Sequence, residues 1–102
     1  MTPLTLITDR GVGGTPRVTA AGEIDISNIH VFTEALTTAS EGNSKPITVD
    51  MSAVKYLDSA GVNVLFKHAD EIDRLRTIRL LPYHIEFADD LLRRFEPRLA
   101  AI

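Results

Sequence analysis

A serine beside a carboxylate is the feature of this chain most able to do chemistry. Asp58-Ser59-Ala60-Gly61 follows a short apolar run, and apolar residues recur after it at helical spacing. The motif therefore lies where a helix begins, and either Asp58 or Ser59 can cap that helix by accepting from its unpaired first-turn N–H groups. The alternative to a structural cap is a phosphorylation site. A phosphate on Ser59 would add about 1.5 to 2 negative charges at a helix N-terminus, which tolerates them, whereas Asp58 and Asp25 would repel them.

Nucleophilic catalysis by Ser59 is poorly supported. The surrounding residues read L-D-S-A-G and not G-x-S-x-G. A serine nucleophile also needs a base within hydrogen-bonding distance, and His30, His68 and His84 lie in helical patterns or a loop with no obvious reach to it. The sequence therefore predicts that the protein is not an enzyme.

Two further patterns have plain structural explanations. Asp25, Asp50 and Asp58 offer the oxygen ligands that hard cations prefer, but strand-end and cap roles explain each of them. The glycine-rich segment from Gly11 to Pro16 lacks the G-x-x-x-x-G-K-[ST] pattern of a phosphate loop and precedes a strand, so it predicts a hairpin turn. We therefore expect neither a metal site nor a cofactor.

Composition narrows the class of protein. The 102 residues predict a single domain spanning residues 1–102, and the net charge of −3 argues against direct binding of nucleic acid. The absence of cysteine excludes disulfides and thiolate metal sites, which fits a cytoplasmic protein. No apolar run approaches the length of a membrane span, and the first residues do not resemble a signal peptide, so no membrane insertion is expected.

The elements that must position these residues follow the order β-β-α-β-α-β-α. Strands are expected at 3–8 and 17–24, forming a hairpin, and they are followed by a helix with its apolar face on Ile29, Phe32, Leu36 and Ala39. A strand from Ile47 to Asp50 comes next, and then a helix from Asp58 or Ser59 to about Arg76 with Ile72 on its apolar face. The chain is expected to end with a strand at Thr77–Leu81, a helix at Ile85–Phe95 and a short tail after Pro97.

This order predicts an α/β fold with a small mixed sheet of about four strands, an N-terminal hairpin and about three helices. The loops at the carboxyl ends of parallel strands gather at one edge of such a sheet. Two such loops are expected, at Asp25–Asn28 and Met51–Gly61. We therefore expect Asp25 to lie close to Asp58 and Ser59.

The same residues resemble the STAS domain, in particular the bacterial anti-sigma factor antagonists. Gly22-Glu23-Ile24-Asp25 is similar to the family's G-E-[IL]-D signature, and Ile47–Ser52 is similar to its central strand. Tyr56–Gly61 is similar to its D-S-[SAT]-G phosphorylation loop. The resemblance runs from about Arg17 to Phe95, and it rests on the paired signatures occurring in order.

The resemblance implies a switch by partner exchange in transcription regulation. The unphosphorylated antagonist would bind an anti-sigma factor with serine kinase activity and so free a sigma factor. The kinase would use Mg-ATP to phosphorylate Ser59, the complex would dissociate, and a phosphoserine phosphatase would reset the switch. The resemblance also implies that Asp25, Asp58, Ala60 and Gly61 form the partner-binding surface, with Gly61 letting the helix start pack closely.

The chain departs from the family pattern near its C-terminus. The family usually continues after the third helix with another strand and helix, so the domain is expected to be short at that end. Arg74–Thr77 replaces an often glycine-rich turn, and Leu81-Pro82-Tyr83-His84 replaces the more usual start of the last helix. A second function therefore stays open, that of a STAS scaffold subunit in a lipid-transport ATPase or a stress-sensing complex.

Overall fold

The computed structural model describes residues 3–11, 14–40, 47–77, 93 and 99–101. Within these ranges the chain forms strands β1 (Thr5–Arg10), β2 (Pro16–Ile24), β3 (Ile47–Leu57), β4 (Ile72–Thr77) and β5 (Leu99–Ala101), and helices α1 (Ile29–Ser40) and α2 (Ser59–Lys67). No helix in the described ranges is long and apolar enough to span a membrane.

The strands form one sheet in the order β1-β2-β3-β4-β5. β1 pairs antiparallel with β2 as the predicted hairpin, and the remaining neighbours pair parallel. α1 connects β2 to β3 and α2 connects β3 to β4, so these two parallel pairs are each joined by a helix as the sequence predicted. The α/β fold is thus confirmed, with a fifth, three-residue strand added to the expected four or so.

The helices cover one face of the sheet. β2 alternates strictly between buried and half-buried residues, because successive side chains of a strand point to opposite faces. Its buried residues join those of β3, β4, α1 and α2 in a single cluster whose largest fully buried side chains include Phe32, Ile24, Leu36, Leu57 and Leu65. Phe32 and Leu36 are members of the apolar face that spacing predicted for α1.

The opposite face carries charged side chains. Arg17 on β2 donates through Nε and Nη2 to both carboxylate oxygens of Asp9 on β1, at 2.9 and 3.0 Å. Asp50 on β3 lies 3.6 Å from Arg76 Nη1 on β4. Opposite charges on neighbouring strands favour the observed register, because a slip of one residue would move them to the core face.

The prediction that the third strand ends at Asp50 is wrong. β3 continues to Leu57, so most of the expected Met51–Gly61 loop is strand. Its pairing with β2 shifts twice, between Thr19 and Ala21 and between Gly22 and Glu23, and each shift leaves an extra residue on β3. These bulges interrupt the two-residue alternation on which the sequence-based prediction depended.

Gly22 allows the second of these irregularities. Its φ is 97°, a left-handed value that side chains other than hydrogen disfavour, and the residue is buried within β2. The glycine of the G-E-[IL]-D signature therefore has a structural task, which is to let β2 follow the bulged β3 to its end.

The predicted boundary between the second helix and the fourth strand is also wrong. α2 ends at Lys67, and β4 occupies Ile72–Thr77, where a helix to Arg76 followed by a strand at Thr77–Leu81 was expected. Ile72 is buried from β4 and not from a helix face. Of the predicted strand only Thr77 lies within the described residues, and of the predicted last helix only Arg93 does, which is helical. The expected tail contains β5.

Candidate functional site

Two loops meet at the carboxyl ends of β2 and β3. The two parallel strands end side by side at Ile24 and Leu57. The backbone N–H of Asp58 then donates to the Ile24 carbonyl oxygen at 3.2 Å, which extends the pairing one step into the loop. The start of α2 therefore lies beside the loop that leads into α1, as the topology predicted.

Asp58 is the residue that caps α2. Its Oδ1 accepts from the backbone N–H groups of Ala60 and Gly61, at 3.0 and 3.2 Å, and its backbone is extended, with φ −90° and ψ −176°. Its other carboxylate oxygen, Oδ2, accepts from the backbone N–H of Ile26 at 3.1 Å. One side chain thus satisfies two orphan donors of the helix and ties the two loops together.

Ser59 is the first residue of α2 and is exposed. Of the two caps that the sequence left open, the structure selects Asp58, which makes the capping hydrogen bonds. With the N–H groups of Ala60 and Gly61 bonded to Asp58, Ser59 makes no capping bond and lies exposed at the start of α2.

Gly61 lies where α2 approaches the end of the sheet. A Cβ on this residue would overlap Leu57 Cδ1, and it would lie 3.1 Å from Leu57 Cγ and 3.2 Å from Ile24 Cγ2. Both neighbours are fully buried core residues. The absence of a side chain at Gly61 is thus what allows the first turn of α2 to sit directly on the carboxyl ends of β2 and β3.

Asp25 lies in the loop between β2 and α1, and its side chain accepts hydrogen bonds from within that loop. Its Oδ1 accepts from the backbone N–H of Ser27 at 2.9 Å and from the Ser27 hydroxyl. The hydrogen bond from the Ser27 hydroxyl, followed by those from the backbone N–H groups of Ser27 and Asn28, lowers the pKa of Asp25 against the opposing effect of burial. Asp25 is therefore a carboxylate at neutral pH.

A model of the family described as "Mlab, STAS domain" matches residues 7–82, which is most of the chain and includes both loops. The chain belongs to the STAS domain family. No curated protein sequence is similar enough to count as a relative of the chain.

Solved structures share the fold of this STAS domain. An anti-sigma factor antagonist from Mycobacterium paratuberculosis superimposes with a TM-score of 0.72 at 18% identity, over 97% of this chain and 85% of that one. The anti-sigma factor antagonist SpoIIAA in its unphosphorylated form gives 0.65 at 17% identity, over 94% and 87%. An uncharacterised protein from Shewanella loihica with a SpoIIAA-like fold gives 0.63 at 17% identity, over 100% and 87%. At these identities the likeness shows the fold alone.

The remaining candidate residues of the STAS domain are not brought to this site. Asp50 lies on the charged face of the sheet, where it accepts from the Ser52 hydroxyl at 2.7 Å and faces Arg76. His30 is exposed on α1, His68 follows the last residue of α2, and His84 lies outside the described residues. Among the residues with described placements, no three His, Cys, Asp or Glu side chains form a group that would hold a metal ion.

Sequence reasoning missed two features of the site. One is the bond between Asp58 Oδ2 and the Ile26 N–H, which joins residues far apart in the chain. The other is Asn28, whose Oδ1 accepts from the Asp25 N–H and whose Nδ2 donates to the Glu23 carbonyl oxygen. The three-residue spacing from Asp25 to Asn28 was the available signal, since it suits a side chain that closes its own turn.

Proposed function

We propose that this STAS domain is an anti-sigma factor antagonist controlled by phosphorylation of Ser59. In the unphosphorylated form it binds and sequesters an anti-sigma factor that has serine kinase activity, which releases a sigma factor in the bacterial cytoplasm. The kinase transfers phosphate from Mg-ATP to the Ser59 hydroxyl and then dissociates, and a phosphoserine phosphatase restores the binding form. The domain is a ligand and a substrate in this cycle and not an enzyme.

The observation that carries the proposal is the division of tasks between Asp58 and Ser59. Asp58 caps α2 and ties the two loops, so the exposed hydroxyl beside it can accept a phosphate without loss of a structural hydrogen bond. The Ala60 and Gly61 N–H groups already donate to Asp58, so they would not be free to bind a phosphate on Ser59. It would therefore lie at the surface, where it changes the local charge on an intact fold.

The charge of the site explains why phosphorylation would end the complex. Asp25 and Asp58 already place two carboxylates at this edge of the sheet, joined through the Ile26 and Ser27 backbone. A partner that accommodates these carboxylates would have to accept up to about two further negative charges on Ser59. Desolvating a phosphate in a closed interface without new cationic partners is strongly unfavourable, so the phosphorylated form would dissociate.

The comparisons support the class of partner. Two structures that share the fold over most of both chains are described as anti-sigma factor antagonists, and one of them as the unphosphorylated form of its protein. The G-E-I-D and D-S-A-G segments, which resemble the signatures of that family, meet at this edge of the sheet. We therefore assign the partner-binding surface to Asp25, Asp58, Ser59 and Ala60. Gly61, which the resemblance also placed on this surface, is buried and lets the start of α2 pack against the sheet beneath it.

The proposal is tested by measuring binding to purified kinase-type anti-sigma factors by isothermal titration calorimetry. Wild type and Ser59→Ala are expected to bind with similar affinity, and Ser59→Asp is expected to bind at least tenfold more weakly while its circular dichroism spectrum is unchanged. Thr38→Asp is the matched control, because it adds the same charge to an exposed residue about 15 Å along α1 from the loop. Equal affinity of Ser59→Asp and wild type would overturn the switch.

A second candidate function is that of a scaffold subunit in a lipid-transport ATPase complex. It is favoured by the matching family model, whose description names Mlab and not an antagonist. The two functions make different demands on Ser59. A scaffold subunit would bind its ATPase equally well as wild type and as Ser59→Asp, and kinase-type anti-sigma factors would leave the wild-type protein unmodified.

A further inference from the structure

An exposed isoleucine lies directly beside the phosphorylation loop. Among the described residues, the large hydrophobic side chains that are exposed are Ile26 at 74%, Ile7 at 57% and Val31 at 43%. Ile26 is the most exposed, and its own backbone N–H is the one that Asp58 Oδ2 binds. The Ile26 backbone is therefore hydrogen-bonded directly to Asp58, the residue that precedes Ser59.

Hydrogen bonds fix the backbone of the loop that carries Ile26, although the exposed Ile26 side chain contributes little to the core. Asn28 bonds to the Asp25 N–H at 3.0 Å and to the Glu23 carbonyl oxygen at 2.9 Å. Asp25 binds the Ser27 N–H at 2.9 Å, and Asp58 binds the Ile26 N–H at 3.1 Å. The backbone on both sides of Ile26 is thus fixed before any partner arrives, which reduces the entropy lost when the side chain is buried in an interface.

We propose that Ile26 is the apolar anchor by which the unphosphorylated domain docks onto its anti-sigma factor. The partner surface that fits is an apolar pocket that receives Ile26, with a lysine or arginine at its rim facing Asp25 and Asp58. This inference rests on the proposed function and adds the chemistry of the partner surface. Interface anchors of this kind are side chains that enter a desolvated pocket and are surrounded by polar contacts.

The position of Ile26 also accounts for the effect of a phosphate. Asp58 hydrogen-bonds to the backbone of Ile26 and caps the helix that begins at Ser59, so Ile26 and Ser59 lie at the same edge of the sheet. When Ile26 enters its pocket, a phosphate on Ser59 would be carried to the rim of that pocket and would lose part of its hydration. The basic residues at the rim of the partner's pocket match the two carboxylates and would not neutralise the added charge of the phosphate. Ile26 would therefore not enter the pocket.

The test uses the purified kinase-type anti-sigma factor that phosphorylates Ser59, and measures its affinity for Ile26 variants by isothermal titration calorimetry. Ile26→Ala is expected to weaken binding about tenfold, Ile26→Asp about a hundredfold, and Ile26→Leu no more than about threefold. Ile7→Ala is the matched control, since Ile7 is an exposed isoleucine of β1 paired with Thr19 on the charged face of the sheet. It should bind within twofold of wild type.

Thermal unfolding of the Ile26 variants separates docking from folding, and because Ile26 is exposed, each variant should melt within about 4 °C of wild type. If wild type binds and is phosphorylated while Ile26→Ala and Ile26→Asp bind within twofold of it, the anchor is refuted and the proposed function stands. The anchor would also be refuted if Ile7→Ala weakened binding to the anti-sigma factor as much as Ile26→Ala does. If wild type neither binds nor is phosphorylated, the proposed function fails, and the anchor with it.

Discussion

The carboxylate of Asp58, and not the hydroxyl of Ser59, should stabilise the start of α2. Replacing Asp58 with alanine removes the N-cap bonds to Ala60 and Gly61, which are worth about 1 kcal/mol, and the bond to the Ile26 N–H, worth about 1 kcal/mol more. We expect Asp58→Ala to lower the free energy of unfolding by about 2 kcal/mol. In a domain of this size that loss lowers the melting temperature by about 8 to 16 °C.

Two further variants separate the contributions. Ser59→Ala should change the free energy of unfolding by no more than about 0.5 kcal/mol, because the hydroxyl is exposed and the cap is elsewhere. Asp58→Asn should lie between the two, because asparagine caps helices as well as aspartate does. Its amide nitrogen is a donor, however, and cannot accept from the Ile26 N–H.

The assay is urea denaturation followed by far-ultraviolet circular dichroism, since the chain contains no tryptophan to serve as a fluorescent probe. The slope of free energy against urea concentration should be the same in all variants, so that differences report stability alone. A loss for Ser59→Ala equal to that for Asp58→Ala would refute this division of tasks. So would a loss below about 0.5 kcal/mol for Asp58→Ala.

Three other predictions concern the elements that position the site. Gly61→Ala should lower the free energy of unfolding by about 1 to 3 kcal/mol in urea denaturation, because its Cβ would overlap Leu57, whereas Ala in place of the exposed Asn63 on the same helix should not destabilise the protein. Gly22→Ala should lower it by about 1 to 3 kcal/mol in the same assay, because φ at this position is 97°; a neutral effect would contradict the backbone conformation described for β2. Burial opposes ionisation of Asp50, but hydrogen bonds from Ser52 and the charges of Arg76 and Arg17 outweigh it and lower the pKa of Asp50 below its ordinary value of 3.8. The stability that the carboxylate contributes is therefore complete above pH 3.8 and is lost as pH falls through the lower folded-state pKa. Free energies of unfolding measured from pH 6 downward should thus fall less steeply below about pH 4 for Asp50→Asn than for wild type, and identical slopes would contradict the shift.

The topology and the meeting of the two loops were predictable because they depend on patterns that the sequence displays directly. Strands separated by amphipathic helices imply parallel pairing, and parallel pairing places Asp25 and Asp58 at one edge. The hairpin was predictable for the same reason, since glycine-rich residues separate two extended segments. The order of elements was therefore sufficient to bring the candidate residues together.

The length of β3 was not predictable from alternation. Asp50 and Ser52 interrupt the apolar run, and in the structure they form a local turn in which Asp50 Oδ1 accepts from the Ser52 N–H at 3.0 Å. That turn coincides with the first bulge, after which the buried residues recur at Val54 and Leu57. A rule of strict alternation cannot follow a strand through such irregularities, because each extra residue changes which side chains face the core.

The prediction of the boundary between α2 and β4 was wrong for a different reason. Ile72 falls at helical spacing from Leu65 and Ala69, but the structure buries it from a strand, in pairing with Ile47. Side chains at both kinds of position face the same core, so apolar spacing across a short connection does not distinguish them. The choice between Asp58 and Ser59 as the cap was likewise left open by the sequence, since both residue types are preferred at that position.

The most direct test of the proposed switch is phosphate transfer to Ser59. The purified protein is incubated with a kinase-type anti-sigma factor and Mg-ATP, and the peptide containing Ser59 is analysed by mass spectrometry, with Ser59→Ala in parallel and an established antagonist of the same kinase as the positive control. We predict one phosphate, on Ser59 of wild type, and none on the variant. Phosphate on another residue of Ser59→Ala would contradict the assigned site. No transfer to wild type by kinases that modify their control antagonists would contradict the switch itself.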